Sequence, residues 1–591
     1  MSEKADDFAM GQALDTHLLR RVYGLIRPFR HLFYLSIALT LLLAVVQPAV
    51  PQFVQYTIDH AIIPGDGEKL WQFSLAILGL LFLQTVLFYS QTYLTNWLGQ
   101  NAIKKLRTNV FDHITDFRLR RFDKTPIGTF ITRTINDVET VADIFAQGLV
   151  TILGDLLKII IIVGVMVYTD WKLTLVTLSV LPFLVGAGYL FKQKVKSAFQ
   201  DVRKQVSRLN AFLQEHITGM SIIQVFGREN TEHQRFQEIN RDYLNANLRS
   251  VMYYSVFFPV IEILSAIAIG LIVWYGSGRV LEGAVTFGVL TKFLLFINML
   301  FTPIRQIADR FNVLQMGMVA SNRIFQVMDT HDHTPHGGAI QKTSLQGAID
   351  YEHVWFRYKE DEWILRDVSF SVKPGQTLAL VGATGSGKST LTNLMTRLYE
   401  HEYGQIRIDG HSVSDYDPAV LRRQIAVVLQ DVFLFSDTIR NNIRLFNPNV
   451  TEAQIREAAQ MVGAEEFLNK LPDGYGHQVQ ERGATLSAGQ RQVISFLRAI
   501  IQDPAVLILD EATSSVDHET EELIQRASQY LLKGRTSIVV AHRLATIRDA
   551  DLILVMDKGR IVEQGSHEEL IRHGTRYREL YELQFTELAL S

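Results

Sequence analysis

The pattern of hydrophobic and polar residues divides this chain of 591 residues into two unlike parts. In the first part, long apolar runs alternate with polar segments. Each run has about 20 helical residues or more, which is the length that is needed to cross a hydrocarbon layer of roughly 30 Å. The pattern therefore predicts six transmembrane helices, at residues 32–58, 70–103, 144–169, 173–191, 251–277 and 284–304.

The connections between these runs differ in length. Short turns join the first run to the second, the third to the fourth and the fifth to the sixth, whereas the polar segments 104–143 and 192–250 join the others. Basic residues gather before the first run and beside both polar segments, and such residues favour the cytoplasmic side. We therefore expect cytoplasmic termini, and we expect the two segments to be cytoplasmic helical extensions of the spans.

Breaks in the helical pattern predict an elbow in each polar segment. Pro126 and Gly128 interrupt the pattern within residues 122–128, and Gly219 and Gly227 interrupt it within residues 214–228. From the residues alone, both elbows are surface turns.

Four charged residues lie inside the predicted spans, where a charge is costly unless it faces a cavity or a partner. They are Asp155, Lys158, Glu262 and Lys292. Asp155 and Lys158 are three residues apart on one helix face, so they could form a structural pair. The alternative is that the four residues line a route for a transported substrate.

After the sixth run, the composition changes to that of a soluble α/β protein. We expect a six-span transmembrane domain over residues 1–327, a linker over 328–346 and a second domain over 347–591. His331, His333 and His336 lie in the linker, but their spacing completes no known metal site, so a plain linker is the favoured interpretation. The chain has no cysteine, which excludes disulfides and thiolate chemistry.

The sequence of the second domain predicts a phosphate-binding loop. An apolar strand at residues 378–381 is followed by a glycine-rich segment and then by an apolar helical pattern, which is the order that such a loop requires. Lys388 would reach phosphate oxygens, and the Ser389 hydroxyl would bind Mg²⁺. The segment consists of Gly382, Ala383, Thr384, Gly385, Ser386, Gly387, Lys388, Ser389 and Thr390.

A second apolar strand, at residues 506–509, ends in two carboxylates. The carboxyl ends of strands in doubly wound sheets are where ligands bind. Asp510 is therefore expected to hold Mg²⁺, and Glu511 is expected to orient the attacking water or accept its proton.

Between these two elements lies Leu486-Ser487-Ala488-Gly489-Gln490. This LSAGQ segment resembles the LSGGQ signature of ATP-binding-cassette proteins, in which one cassette presents it to the ATP of another. Nearly the whole chain resembles the exporter half-transporters of the multidrug and lipid-A flippase type. The resemblance implies a membrane all-α six-helix domain followed by an α/β P-loop ATPase domain.

The resemblance also implies roles for further residues. Tyr358 matches the aromatic residue that stacks on adenine, Gln430 matches the glutamine that reaches Mg²⁺ and the water, and His542 matches the switch histidine at the γ-phosphate. Asp517 and the LSAGQ segment would act on the ATP of the partner chain. The two elbows would be the coupling helices that dock on the ATPase.

The function that the resemblance implies is ATP-driven export of amphipathic drugs or lipids across a bacterial plasma (inner) membrane. The implied partners are a second half-transporter, the lipid bilayer and the substrate, with ATP and Mg²⁺ as cofactors. A homodimer is favoured over a heterodimer because all recognised ATP-site residues are present. A net charge of -3 indicates no nucleic-acid partner. An ATP-gated channel or regulatory membrane protein on the same scaffold is the alternative, and Ala488 departs from the usual glycine.

Overall fold

The computed structural model describes residues 16–144, 150–334, 337–338, 340, 344–510, 518–540 and 547–582. The chain divides into two compact units. The helical unit combines Met1–Ile114 with Gly128–Thr330, and the sheet unit combines Thr115–Ile127 with His331–Ser591. The sheet unit is therefore discontinuous in sequence, because it includes a short segment taken from the middle of the N-terminal half.

The helical unit contains long helices with short breaks. The helices of the N-terminal half, of which α4 belongs to the sheet unit, are α1 (Thr16–Ile26), α2 (Arg30–Thr57), α3 (Gly67–Thr115), α4 (Leu119–Lys124), α5 (Ile127–Thr132), α6 (Val138–Asp143), α7 (Val150–Thr169), α8 (Trp171–Leu178), α9 (Leu181–Thr218), α10 (Met220–Val225), α11 (Glu229–Leu281) and α12 (Phe287–Met328). Two short π-helical stretches, Ile58–Ile62 and Arg133–Asp137, interrupt this series.

Six helical stretches are long and apolar enough to cross a membrane, which confirms the predicted number of spans. Several continue well beyond the membrane thickness. Helix α11 has 53 residues, which at 1.5 Å per residue is about 80 Å. Both elbows fall where the glycine and proline residues predict them: Pro126 separates α4 from α5, and Gly219 and Gly227 flank the short helix α10.

Small residues let the helices of this unit approach closely. A Cβ atom on Gly154 would lie 2.4 Å from Cγ2 of Thr40, and one on Gly276 would lie 2.6 Å from Cδ1 of Leu290. Such contacts are typical of helices packed within a membrane. Around them, aliphatic and phenylalanine side chains from α7, α8, α11 and α12 form a buried cluster that includes Ile162 and Phe293.

The sheet unit alternates strands and helices. Besides α4, its elements are β1 (Ile349–Phe356), β2 (Leu365–Val372), β3 (Thr377–Gly382), α13 (Lys388–Met395), β4 (Tyr403–Ile408), β5 (His411–Ser412), α14 (Pro418–Gln424), β6 (Ile425–Val428), α15 (Ile439–Arg444), α16 (Glu452–Met461), α17 (Glu465–Lys470), α18 (Ala488–Gln502), β7 (Val506–Asp510), α19 (His518–Leu532), β8 (Thr536–Val540), β9 (Leu552–Asp557), β10 (Arg560–Gly565) and α20 (His567–His573).

The strands form two sheets. The smaller has the order β2-β1-β4-β5, and the larger has the order β10-β9-β3-β8-β7-β6. Strands β9, β3, β8, β7 and β6 are parallel, and only β10 is antiparallel to its neighbour. The carboxyl ends of the five parallel strands therefore lie along one edge of the larger sheet.

Strand β3 shows how the larger sheet separates two cores. Its residues alternate between faces, so that Leu378 and Leu380 enter one core while Ala379 and Val381 enter the other. Helix α13 packs into the first core through Leu391. Helix α18 packs into the second. The two helices thus lie on opposite faces of the larger sheet.

Candidate functional site

The loop between β3 and α13 is built by glycines in conformations that other residues avoid. Gly385 and Gly387 have φ angles of +82° and +104°. A Cβ atom on Gly387 would lie 2.7 Å from Cδ2 of Leu365, and one on Gly382 would lie 2.2 Å from the carbonyl oxygen of Met556. Glycine is needed at both positions because the backbone approaches its neighbours closely there.

Lys388 begins α13 and is buried, with 7% of its surface exposed. Its Nζ atom donates hydrogen bonds to the carbonyl oxygens of Gly382 at 2.6 Å and Ala383 at 3.1 Å. Burial lowers the pKa of Lys388, and the charge of Asp510 partly opposes this shift. The Ser386 hydroxyl is also buried and has no hydrogen-bond partner within the described part of the chain.

These features fit an anionic phosphate group. The polar groups gathered at this loop are an ammonium, the Ser386 hydroxyl and the backbone N–H groups at the start of a helix, all of which favour an anion. The outer part of the loop is open to solvent, and it includes Ala383, Thr384 and Ser389, whereas Thr390 is buried.

The carboxyl edge of the larger sheet brings other predicted residues to the same side. Asp510 is the last residue of β7, and Gln430 lies exposed two residues after β6. Glu511, Asp517 and His542 lie outside the described residues. Their places in the chain follow the carboxyl ends of β7 and β8, and β8 lies between β3 and β7.

Tyr358 lies beside the phosphate loop. Its hydroxyl is 3.2 Å from Oγ1 of Thr390, so a hydrogen bond joins the side chain to the first turn of α13. The ring also makes edge-to-face contacts with Phe356 and Tyr399, with centroid distances of 4.8 and 5.0 Å. These contacts place the Tyr358 side chain beside the phosphate loop.

The LSAGQ segment forms the N-terminus of α18. Ser487 is the N-cap residue: its hydroxyl accepts a hydrogen bond from the backbone N–H of Gln490 at 3.2 Å, and the Gln490 side chain accepts one from the Ser487 N–H at 3.0 Å. Leu486 and Gly489 are buried, whereas Ser487 and Ala488 are exposed. The positive end of a 15-residue helix is therefore presented at the surface.

Comparison with known proteins agrees with this geometry. A family model described as the ABC transporter transmembrane region matches residues 33–304, and one described as ABC transporter matches residues 365–514. The chain is 38% identical over 569 residues to the uncharacterized ABC transporter ATP-binding protein YknV of Bacillus subtilis, covering 96% of this chain and 94% of that protein.

Two other relatives have names that state an activity. The ATP-dependent lipid A-core flippase of Syntrophus aciditrophicus is 34% identical over 581 residues, with 98% of this chain and 96% of that protein covered. The putative multidrug export ATP-binding/permease protein YgaD of Bacillus subtilis is 34% identical over 576 residues, with 96% and 99% covered.

The chain belongs to the ABC transporter family. It is a membrane-spanning half-transporter of the exporter class, in which an ATPase domain binds ATP and couples its hydrolysis to transport. The expected fold class and ATP binding are thereby confirmed, and half-transporters of this class function as dimers.

In the membrane part of this ABC transporter, the four predicted charges have different surroundings. Asp155 lies 3.0 Å from Nε of Arg310 on α12, so its ion-pair partner lies on another helix rather than at Lys158. Lys292 is 1% exposed and donates hydrogen bonds to Gln52 at 3.0 Å and Thr169 at 2.7 Å. Lys158 is half-buried, and Glu262 is exposed on α11.

The linker of the ABC transporter holds no group of metal-binding side chains among the described residues. Asp329 forms a pair with Arg21 at 2.6 Å, and His333 lies 3.1 Å from Asp116. These contacts give the polar linker residues structural partners. His336 lies outside the described residues.

Sequence reasoning did not identify Arg498, which connects the signature helix to the chain beyond Gln430. The Arg498 guanidinium on α18 donates to the carbonyl oxygens of Asn442 at 2.7 Å and Phe433 at 3.0 Å. Burial lowers its pKa to about 10. No local pattern distinguishes this arginine from a surface residue, because its partners lie 56 and 65 residues away.

Proposed function

We propose that this ABC transporter exports amphipathic drugs or lipids across a bacterial plasma membrane, as a homodimer with ATP sites shared between the two chains. Relatives at 34% identity bear the names of a multidrug exporter and a lipid A-core flippase, which supports these two substrate classes. The retained phosphate loop and signature support an identical partner, and a related second chain is the alternative.

One observation carries the proposal of a shared site: α13 and α18 lie on opposite faces of the larger sheet. Lys388 begins one helix, and the exposed Ser487 begins the other. A helix N-terminus open to solvent is suited to bind an anion that approaches from outside. A second chain supplies that anion when its own phosphate loop holds ATP, with Gly489 and the Ser487 hydroxyl facing the γ-phosphate.

Within each chain, the phosphate loop binds the β- and γ-phosphates through its N–H groups and Lys388, and the Tyr358 ring stacks on the base. Glu511 orients the attacking water or accepts its proton, and His542 contacts the γ-phosphate. Asp517 approaches the ATP of the partner chain.

Ser389, Gln430 and Asp510 form a fitting set of oxygen donors for Mg²⁺, which binds through one or two protein ligands together with phosphate oxygens and water. Ser389 is the exposed second residue of α13, and the other two residues lie at the carboxyl edge of the same sheet. When bound there, Mg²⁺ would neutralise phosphate charge. The side chains of Ser389, Gln430 and Asp510 would hold the ion in place.

ATP drives transport through its preference for the state in which the two ATPase domains are closed on each other. Closure moves the coupling elbows, and with them the spans change from inward-open to outward-open. Hydrolysis removes the γ-phosphate contacts and releases the closed state. The ATPase domains and both termini are cytoplasmic, as the basic residues beside the spans indicate.

The substrate route is proposed to pass Glu262 and Lys292. Asp155 and Lys158 are proposed to line the same route. A carboxylate at the centre of a span costs about 2.5–3.5 kcal/mol when it faces lipid. The exposed Glu262 side chain is therefore expected to face the partner chain or the substrate. Lys292 joins three spans through its hydrogen bonds, so substrate passage would require those bonds to rearrange.

The test is ATP-dependent uptake of labelled lipids and amphipathic drugs by the purified chain, reconstituted alone with its ATPase domains outward. Accumulation against a gradient supports export, because a channel only equilibrates its substrate. Lys388→Ala serves as the control without ATP turnover. Hydrolysis by the chain alone, without accumulation of any compound, would contradict the proposed substrate classes, and absence of hydrolysis would contradict the homodimer.

A further inference from the structure

The segment Thr115–Ile127 is part of the sheet unit, although the chain on both sides of it belongs to the helical unit. Phe117 pairs with His333 in an antiparallel bridge. The Arg118 side chain donates a hydrogen bond to the His333 carbonyl oxygen at 2.8 Å and another to Glu400 at 3.0 Å. The segment is therefore attached to the linker and to the loop that follows α13.

Tyr399 lies next to Glu400 in that loop and makes the second attachment. Its hydroxyl donates a hydrogen bond of 2.7 Å to Oδ2 of Asp123 on α4. Burial raises the pKa of Tyr399, and the hydrogen bond to Asp123 raises it further. The phenol consequently stays protonated, and remains a donor, throughout the physiological pH range.

The other side of Tyr399 contacts Tyr358. The two rings meet edge to face, with centroids 5.0 Å apart and planes at 88°. Tyr358 is in turn hydrogen-bonded to Thr390 of α13. A continuous series of contacts thus runs from the first turn of α13, through Tyr358 and Tyr399, to Asp123.

We propose that Tyr399 is a positioning residue that couples the presence of a purine base on Tyr358 to the position of α4 in the same chain. The inference rests on the proposed stacking of the ATP base on Tyr358. A stacked base restricts the Tyr358 ring, and the edge-to-face contact passes this restriction to Tyr399. The hydrogen bond to Asp123 then favours one position of α4, which is covalently continuous with α3 on one side and α5 on the other.

The test uses the absence of cysteine from the natural chain. Lys124→Cys places a single label on the exposed end of α4, in the full-length protein reconstituted in nanodiscs. The label signal is measured with and without ATP in the parent, in Tyr399→Phe and in Asp123→Ala. Tyr399→Phe keeps the ring against Tyr358 and removes only the hydroxyl. The matched control is Tyr403→Phe, because Tyr403 is an exposed tyrosine four residues after Tyr399.

Loss of one hydrogen bond changes an equilibrium about fivefold, which corresponds to about 1 kcal/mol. A label response that is half-populated in the parent should fall roughly threefold in Tyr399→Phe and in Asp123→Ala. The double variant should fall no further, because both changes remove the same bond. ATP binding, followed with a fluorescent analogue, should stay within about twofold in all variants, and Tyr403→Phe should behave as the parent.

An unchanged ATP response in both single variants would overturn the inference. So would equal loss in Tyr403→Phe, or additive losses in the double variant. These outcomes are distinct from failure of the proposed function, in which the parent itself neither hydrolyses ATP nor changes its label signal. A response to tripolyphosphate equal to the response to ATP would also overturn the inference, because tripolyphosphate has no base to stack on Tyr358.

Discussion

Replacing Lys388 in one copy of the chain and Ser487 in the other separates a shared ATP site from one formed within a single chain. If each site uses the phosphate loop of one chain and the signature of the other, a mixed dimer of Lys388→Ala and Ser487→Ala has one site with both defects and one site with none. If each site lies within one chain, both sites of that dimer are defective.

The structure sets the size of each defect. Lys388→Ala removes a buried ammonium that makes charge-assisted contacts of about 1.5–3 kcal/mol, or roughly 10–150-fold in affinity. Ser487→Ala removes the N-cap of α18 and costs about 1 kcal/mol of stability, besides its contact with phosphate. The Lys388→Ala homodimer should therefore hydrolyse ATP at least about tenfold more slowly than the parent, and the Ser487→Ala homodimer should also be slower because it loses its contact with phosphate.

The assay is ATP hydrolysis by mixed dimers, purified through a different tag on each chain and reconstituted in lipid. About half of the parent activity is expected from the single intact site of a symmetric dimer. Ser566→Ala is the matched control, because Ser566 caps α20 through the same arrangement with Glu569. It follows β10 at the opposite edge of the sheet, where Gly565 pairs with Ile553 near the start of β9.

Ser566→Ala should lower the thermal stability about as much as Ser487→Ala and leave hydrolysis unchanged. Mixed dimers no more active than the two variant homodimers would refute the shared site. Equal losses of hydrolysis in Ser487→Ala and Ser566→Ala would show that the effect of Ser487 is one of stability alone.

Three further predictions concern single sites. Glu511→Gln should keep ATP binding and slow hydrolysis by about 10²-fold or more, measured by phosphate release against analogue binding, and near-parent turnover would contradict its role. Although burial opposes the Glu563 charge, backbone N–H groups of residues 575–577 lower its pKa below the ordinary value of a glutamate. Glu563→Gln should therefore cost about 1 kcal/mol of stability at pH 7, and the difference should shrink as pH falls through the folded pKa, in melting curves from pH 7 to 3. Asp155→Asn should lower the melting temperature because it removes the carboxylate charge 3.0 Å from Nε of Arg310, whereas Asp155→Asn with Arg310→Gln should regain part of it. Full transport by that double variant would remove Asp155 from the substrate route.

The division of the fold was predictable because it depends on local pattern. Apolar runs of about 20 residues have few alternatives to a membrane span, and breaks such as Gly219 act within a few residues. The attachment of Thr115–Ile127 to the sheet unit was not predictable in this way, since it depends on partners such as Glu400, 282 residues from Arg118.

The residues of the candidate site also divide into those that local sequence reveals and those that depend on distant partners. The phosphate loop, Asp510 and Ser487 are recognisable because their chemistry needs fixed residues beside one strand or helix end. In the structure the phosphate loop joins β3 to α13, Asp510 ends β7 and Ser487 caps α18. The roles of these residues stay predictions, as do those of Gln430, Tyr358, Glu511, Asp517 and His542. No local sequence pattern marked Arg310 or Tyr399 as a residue with a distant partner. An arginine beside a span and a tyrosine in a loop are common, and only the packing of distant elements gives them partners.

The discontinuity of the sheet unit has a consequence for synthesis. Translation proceeds at about 5–20 residues per second, so Arg118 is made roughly 15–60 s before Glu400, which lies 282 residues later. During that interval the segment Thr115–Ile127 exists without the linker and the loop after α13 that it contacts. A soluble fragment that begins at His331 lacks this segment permanently, so the Tyr399 hydroxyl loses its partner Asp123 and the His333 backbone loses its partner Phe117. The ATPase of this transporter therefore completes its fold only when both parts of one polypeptide have been made.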